Sequence, residues 1–301
     1  MTCIDEVGTQ FEDLKQRGHL AVEAGRLEEA AGHFEQALAL ARTIDDPKVV
    51  DLAVCNRAAV EIVLGRGEAQ LPRLREILVQ NGDPVNCRLA AYNIARHYEL
   101  TKNYKKALFY ARIARERAEQ QGRSDWIASS HNLIGNIFLA ESFLEEACAE
   151  FEKALALMPP EPTIWRARIV DNLGYCRILQ QRYSEGYALL YESLKVLRRH
   201  GAGRYQISSR LDLCFAHLET GRYEQARRHG EAALRLAEEV GETDSIKNAL
   251  YLLGEAANLS GDTDTARAYF SRLQQGYFPE AAYLPGFLLA VDVRKLVNLH
   301  A

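Results

Sequence analysis

Residues that interrupt helices are scarce in this chain of 301 residues, with only 8 prolines and 20 glycines. No window alternates apolar and polar residues for long enough to make a strand. No run approaches the ~18 consecutive apolar residues that a membrane-spanning helix needs. The longest candidate, residues 283–293, is broken by Pro285 and Asp292. Basic charge is not in excess: 37 Lys and Arg face 41 Asp and Glu, a net of −4, so a nucleic-acid partner is not expected. The six cysteines stand singly, at Cys3, Cys55, Cys87, Cys148, Cys176 and Cys214. Without a CxxC pair there is no zinc ribbon or dithiol motif, and reduced thiols in the cytoplasm are expected. Residues 1–7 are acidic and lack an apolar run, so no secretory leader is expected there.

Catalytic signatures are missing as well. The chain has no GxxxxGK[ST], GxSxG or HExxH motif, and none of its eight histidines forms an i,i+4 pair that would grip a metal. Acidic runs such as Glu28-Glu29 and Glu238-Glu239 read as solvated helix faces. The expectation is therefore a non-enzymatic chain with no catalytic residues, no metal and no cofactor.

What the chain does have is self-similarity. Small residues recur at Gly18, Ala58, Ala95, Gly135, Gly174, Cys214 and Gly254, with spacings of 40, 37, 40, 39, 40 and 40. Twelve residues after most of these comes a second small residue, such as Ala30, Ala147, Ala226 or Ala266. Four further on a large one follows, as in Phe34, Phe151 and Phe270. Each unit reads as a helical hairpin whose small slots let the two helices approach closely. One hairpin cannot bury both of its apolar faces, so the units stack.

These positions resemble the tetratricopeptide repeat superfamily over about residues 10–275, in a long variant of about 40 residues per repeat. Bacterial regulators of the large LuxR type and of the peptide-sensing type are similar in this respect. The resemblance implies an all-α, right-handed superhelical solenoid in one continuous domain. Its seven repeats would span 10–46, 47–82, 83–122, 123–161, 162–201, 202–241 and 242–276, with a capping helix over 280–300. Asp46-Pro47 and Asp83-Pro84 read as helix starts, and Ser124 and Thr243 as further caps. Repeat two departs from the pattern. Gln70 takes the alanine slot and Pro72 falls inside the second helix, which should be shortened or displaced.

In such a solenoid the first helices line a concave groove. Side chains three before and one after each small slot share that face. They place Tyr92, Arg96, Asn132, Asn136, Asp171 and Tyr175 there, with Arg168 one turn before Asp171. Asparagine amides match an extended peptide backbone, the tyrosines suit binding hot spots, and Arg96 suits a ligand carboxylate. The alternative is an ordinary surface with Arg96 paired to Asp171 or Glu99. A second series, Asn56, Asn93 and Asn172, would form a ladder along a bound chain or bond to a neighbouring helix. A co-chaperone clamp for a C-terminal carboxylate fits poorly, because Leu89 and Asn93 stand where two cations are needed.

Charge is uneven. Residues 1–48 carry five basic and ten acidic groups, whereas 161–240 carry thirteen basic and ten acidic. Arg198-Arg199-His200 and Arg227-Arg228-His229 lie on second helices, away from the groove. Arg294 falls where an eighth small slot would stand, so the last helix either caps repeat seven or docks a partner or second copy. The function expected is a scaffold or adaptor that binds a protein or peptide segment in the groove. The alternative is a regulatory sensor that binds a signal peptide or small ligand and controls a partner protein.

Overall fold

The computed structural model describes residues 3–44, 46–80, 82–294 and 299. They are all-α, and they form two compact units, residues 1–159 and 160–301. The first unit holds α1 (Cys3–Glu23), α2 (Leu27–Ile44), α3 (Pro47–Val63), a 3-10 turn (Glu68–Gln70), α4 (Leu71–Gln80), α5 (Pro84–Leu100), α6 (Tyr104–Gln120), α7 (Ser124–Ala140) and α8 (Leu144–Ala156). The second holds α9 (Ile164–Leu179), α10 (Tyr183–Arg199), α11 (Gly203–Glu219), α12 (Tyr223–Val240), α13 (Thr243–Leu259), α14 (Thr263–Tyr277) and the short α15 (Leu284–Ala290).

The seven hairpins follow from the small slots. A Cβ added at Gly18 or Gly135 would lie 2.6 Å from a ring carbon of Phe34 or Phe151, and one at Gly254 would collide with Phe270. All three rings are buried, so the glycine is what lets the second helix pack. Gly174 does the same for Leu190, and Ala58, Ala95 and Cys214 are fully buried in the equivalent places.

Seven residues after each slot the chain reverses through a left-handed backbone. Glycine supplies it at Gly25, Gly65, Gly221 and Gly261, whereas Lys102, Ser142 and Gln181 adopt it at φ of 58°, 63° and 61°. Asp46 and Asp83 cap their helices as expected. Asp46 accepts from the Lys48 N–H at 2.9 Å, and Asp83 from those of Val85 and Asn86 at 3.0 and 3.1 Å. Ser124 and Thr243 are instead the first helical residues of α7 and α13, and neither of those helices has a side-chain cap.

Repeat two is altered as Pro72 predicts. Its second helix is cut to the 10 residues of α4, preceded by the 3-10 turn, and it packs chiefly on α5 of the next hairpin rather than on α3. The last helix is shorter than the 280–300 expected. It stops at Ala290, and Val291 is extended, at φ −125° and ψ 121°. Asp292 then accepts from the Arg294 N–H at 3.0 Å, a local bond that competes with helix continuation. Residues 295–298, 300 and 301 of that expectation lie outside the described residues.

Candidate functional site: the first-helix faces

In the first unit, α3, α5 and α7 adjoin. Tyr92 is half-buried, with the Arg88 guanidinium 5.8 Å above its ring and 4.6 Å from that of Trp126. Arg96 pairs with Glu99 one turn on, as the alternative reading had it. Asn136 is half-buried, but Asn132 is buried among the α7 core residues. The Asn series is partly used inside the fold. The Asn93 amide donates to the Cys55 carbonyl of α3 at 2.7 Å, and outside the series the Asn86 amide donates to the Lys48 carbonyl at 2.8 Å. Cys55 itself is buried, and burial pushes its thiol up to about 12, an inert state. Beneath this face His131 contacts Glu150 at 2.6 Å, and Lys153 bonds the same carboxylate at 2.7 Å. Burial drives Glu150 upward, but those two partners win and hold it below the usual carboxylate value.

In the second unit, α9, α11 and α13 adjoin. Arg168 stacks over Tyr205 of α11 at 4.5 Å and over Trp165 at 5.4 Å. Asp171 is buried, and Tyr175 is fully buried with its ring edge-on to Phe215 at 5.9 Å. Thus Tyr92, Arg96, Asn132 and Asn136 belong to one unit, and Arg168, Asp171 and Tyr175 to the other.

The second unit's face is not bare. Past α15, Arg294 and Leu299 meet it. Arg294 reaches Glu219 of α11 at 3.3 Å and Glu255 of α13 at 3.9 Å, while Asp292 orients its guanidinium at 2.7 Å. The Leu299 backbone N–H donates to the Tyr175 hydroxyl at 3.2 Å. Glu255 is only 2% exposed, and one of its oxygens has no hydrogen-bond partner. Burial raises it to about 7, with Arg294 pulling it down and Asp292 pushing it up. The Tyr251 hydroxyl beside it is also buried without a partner. The register around Gly254 places Tyr251 and Glu255 on this face, as the equivalent registers do the six residues named above, whereas Glu219 was missed. The available signal was Arg294, a cation in a small-residue register, which needs an acidic partner.

Residues 205–277 match the family model for the tetratricopeptide repeat. The 43 kDa receptor-associated protein of the synapse from Tetronarce californica is 25% identical over 162 residues, covering 52% of this chain and 39% of that protein. The chain therefore spans about two fifths of the length of that curated relative. Among solved structures, the quorum sensor NprR from B. thuringiensis, in its apo form, matches with a TM-score of 0.66 at 14% identity, covering 95% of this chain and 80% of that one. NprR in complex with its cognate peptide NprX gives 0.68 at 12%, covering 96% and 83%. No helix among the described residues is long and apolar enough to cross a membrane. The matched segment spans α11 to α14 and is a tetratricopeptide repeat region, and the hairpins before it are built on the same small slots.

Proposed function

We propose that this chain is a non-enzymatic binding module, an adaptor or scaffold that takes an extended protein or peptide segment on its first-helix faces. The observation that carries this reading is the chain's own C-terminal segment. It meets the second unit's face as a peptide would, with a backbone N–H on Tyr175 and a guanidinium on Glu219 and Glu255. The likeness in fold to NprR, solved with a peptide bound, supports it. Tyr92, Arg96, Asn132, Asn136, Arg168, Asp171 and Tyr175 are the groove residues of this proposal, in one continuous cytoplasmic domain of seven repeats. Asn56 and Asn172, both half-buried, are the remaining positions of the proposed ladder. Displacement of the C-terminal segment by an incoming peptide favours the regulatory form of the reading, a sensor whose occupied and self-occupied states differ. A second copy docking through the C-terminal helix is the homo-oligomeric variant.

The test is a chain ending at Ala290, checked for helicity and melting, and titrated with a labelled peptide copying residues 291–301. The shortened chain should bind the peptide and the full chain should bind at least tenfold more weakly. Equal binding by the two, or none by either, removes the groove reading.

A further inference from the structure

The second unit carries another feature that peptide binding does not use. A cavity of about 510 Å³ opens between α10, α11 and α12. Its walls bring together Lys195, Arg198 and Arg199 of α10 and Arg210 of α11, with Tyr191, Leu194 and His229 beside them. Four cations thus share one cavity whose lining includes no carboxylate. Among the described residues none of the four has an ion-pair partner. Arg210 reaches only the neutral Gln206, at 3.4 Å, and its Nε is buried without a partner.

Two comparisons show that this is not simply how basic runs behave in this chain. On α12, Arg227 pairs with Glu224 and Glu231 at 2.9 and 2.6 Å, and Arg228 with Glu224 at 3.1 Å. That run neutralises itself. Cations in the last turn of a helix also complement its free carbonyls, which accounts for Arg198 and Arg199. It does not account for Lys195, a turn earlier, or for Arg210 in the middle of a different helix. Convergence of like charges from two helices costs free energy unless an anion offsets it. Burial first, and then the charges of Arg198 and Arg235, already weaken the hold of Arg210 on its proton.

We propose that this cavity is a binding site for a small organic phosphate bearing two or more negative charges. The guanidinium forks of Arg198, Arg199 and Arg210 offer bidentate donors to phosphate oxygens, and Lys195 adds a point charge. The organic part lies against the Tyr191 ring, the Leu194 side chain and the His229 imidazole. His229 stacks on His217 with ring centres 5.5 Å apart and planes 21° apart, which makes a flat wall. A cavity of this size holds a ligand of nucleotide dimensions. The site is independent of the groove, since none of its residues touches the C-terminal segment among the described contacts.

Calorimetric titration of the full chain with ATP, inorganic pyrophosphate and a 20-base-pair DNA duplex tests this. ATP should bind with a Kd below about 1 mM at low salt and lose affinity as salt rises, as expected of charge-driven binding. The exposed pair Lys195→Gln with Arg199→Gln should weaken ATP at least tenfold with melting unchanged, and Arg227→Gln should leave it within twofold. Pyrophosphate should bind more weakly than ATP, because it leaves the aromatic wall empty. Absence of ATP binding, or binding unmoved by the double substitution, overturns the site. Pyrophosphate matching ATP overturns the organic-ligand class, and a duplex binding more tightly than ATP assigns the cavity to a nucleic-acid backbone instead.

Discussion

The two units are built from the same hairpin but spend their polar groups differently. In the first, neutral amides tie neighbouring first helices together, Asn93 to the Cys55 carbonyl and Asn86 to that of Lys48. Its buried carboxylate, Glu150, is matched by His131 and Lys153. In the second, a buried carboxylate and a pair of histidines are held differently. Glu255 has an oxygen without a partner, and His217 and His229 stack against each other and against Tyr187 and Tyr191. Packing slots are thus common to both units, and both bury ionisable side chains, but Glu255, with an oxygen that has no hydrogen-bond partner, lies on the face that is already occupied. Unmatched polar groups cost stability, and such costs gather where a surface binds something.

The largest effect should come from what the units share. Gly254→Val would drive its side chain into Phe270, and Gly135→Val into Phe151, both fully buried rings. Each should cost about 3 kcal/mol, the upper range for overpacking a close-packed core. Hydrogen exchange on each variant should show the loss concentrated in the unit that carries it, as expected of nearest-neighbour stability. Loss spread evenly over both units would break the two-unit description.

Acid should separate the units next. Burial, helped by neighbouring positive charge, lowers both His217 and His229 from 6.5 to about 4. The folded rings stay neutral while the unfolded chain takes up protons below pH 6.5, so their contribution is complete above 6.5 and lost on the way down to about 4. Glu255 works the other way. Raised from 4.5 to about 7, it binds its proton more tightly when folded, and its contribution falls as pH rises through that window. Two rings against one carboxyl leave a net loss on acidification from pH 7 to 4 of roughly 2 to 3 kcal/mol, at 1.36 kcal/mol per pKa unit. Urea melts followed by exchange in α11 and α12 should show it. His217→Gln should flatten the profile and Glu255→Gln should steepen it. A flat profile in the parent chain would mean that the rings are not held neutral.

These contrasts explain what the sequence could and could not tell. The hairpins were legible because steric slots recur at fixed spacing, and Gly18, Gly135 and Gly254 need no tertiary knowledge to be read. The short α4 was legible from Pro72. The site was less so. A register places Asn132 and Tyr175 on the first-helix face, but depth on that face depends on which neighbours close over it, and both are buried. The end of the last helix was missed because a local Asp292 bond outweighs an apolar pattern. Of the carboxylates under Arg294, Glu255 falls in the first-helix register beside Gly254, whereas Glu219 of α11, 75 residues away, falls in none.

A smaller effect distinguishes the two fates of the asparagine series. Asn93→Ala removes the bond to the Cys55 carbonyl from a buried position and should cost about 1 kcal/mol. Asn56, half-buried with no such bond, should lose less than about 0.5 kcal/mol as Asn56→Ala. Chemical denaturation measures both. Equal costs would mean that the first unit's tether is not what holds α5 to α3.

The smallest change should be a gain, and it lies where the repeats differ in a turn rather than in a core. Gly25, Gly65, Gly221 and Gly261 take the left-handed turn without a Cβ, but Lys102, Ser142 and Gln181 take it with one. A side chain in that conformation costs ~1 kcal/mol relative to glycine, partly offset because glycine leaves the unfolded chain freer. Gln181→Gly in the second unit and Lys102→Gly in the first should therefore each stabilise by about 0.5 kcal/mol, a shift of a degree or two in Tm. Gly261→Ala, the reverse change at an equivalent turn with open space around it, should lose about 1 kcal/mol through backbone strain alone. Because the three positions share one geometry across both units, the two gains should be equal. If Gln181→Gly destabilised while Lys102→Gly stabilised, the turn after α9 would owe its conformation to contacts of the glutamine side chain, and the equivalence of the repeats would stop at their cores.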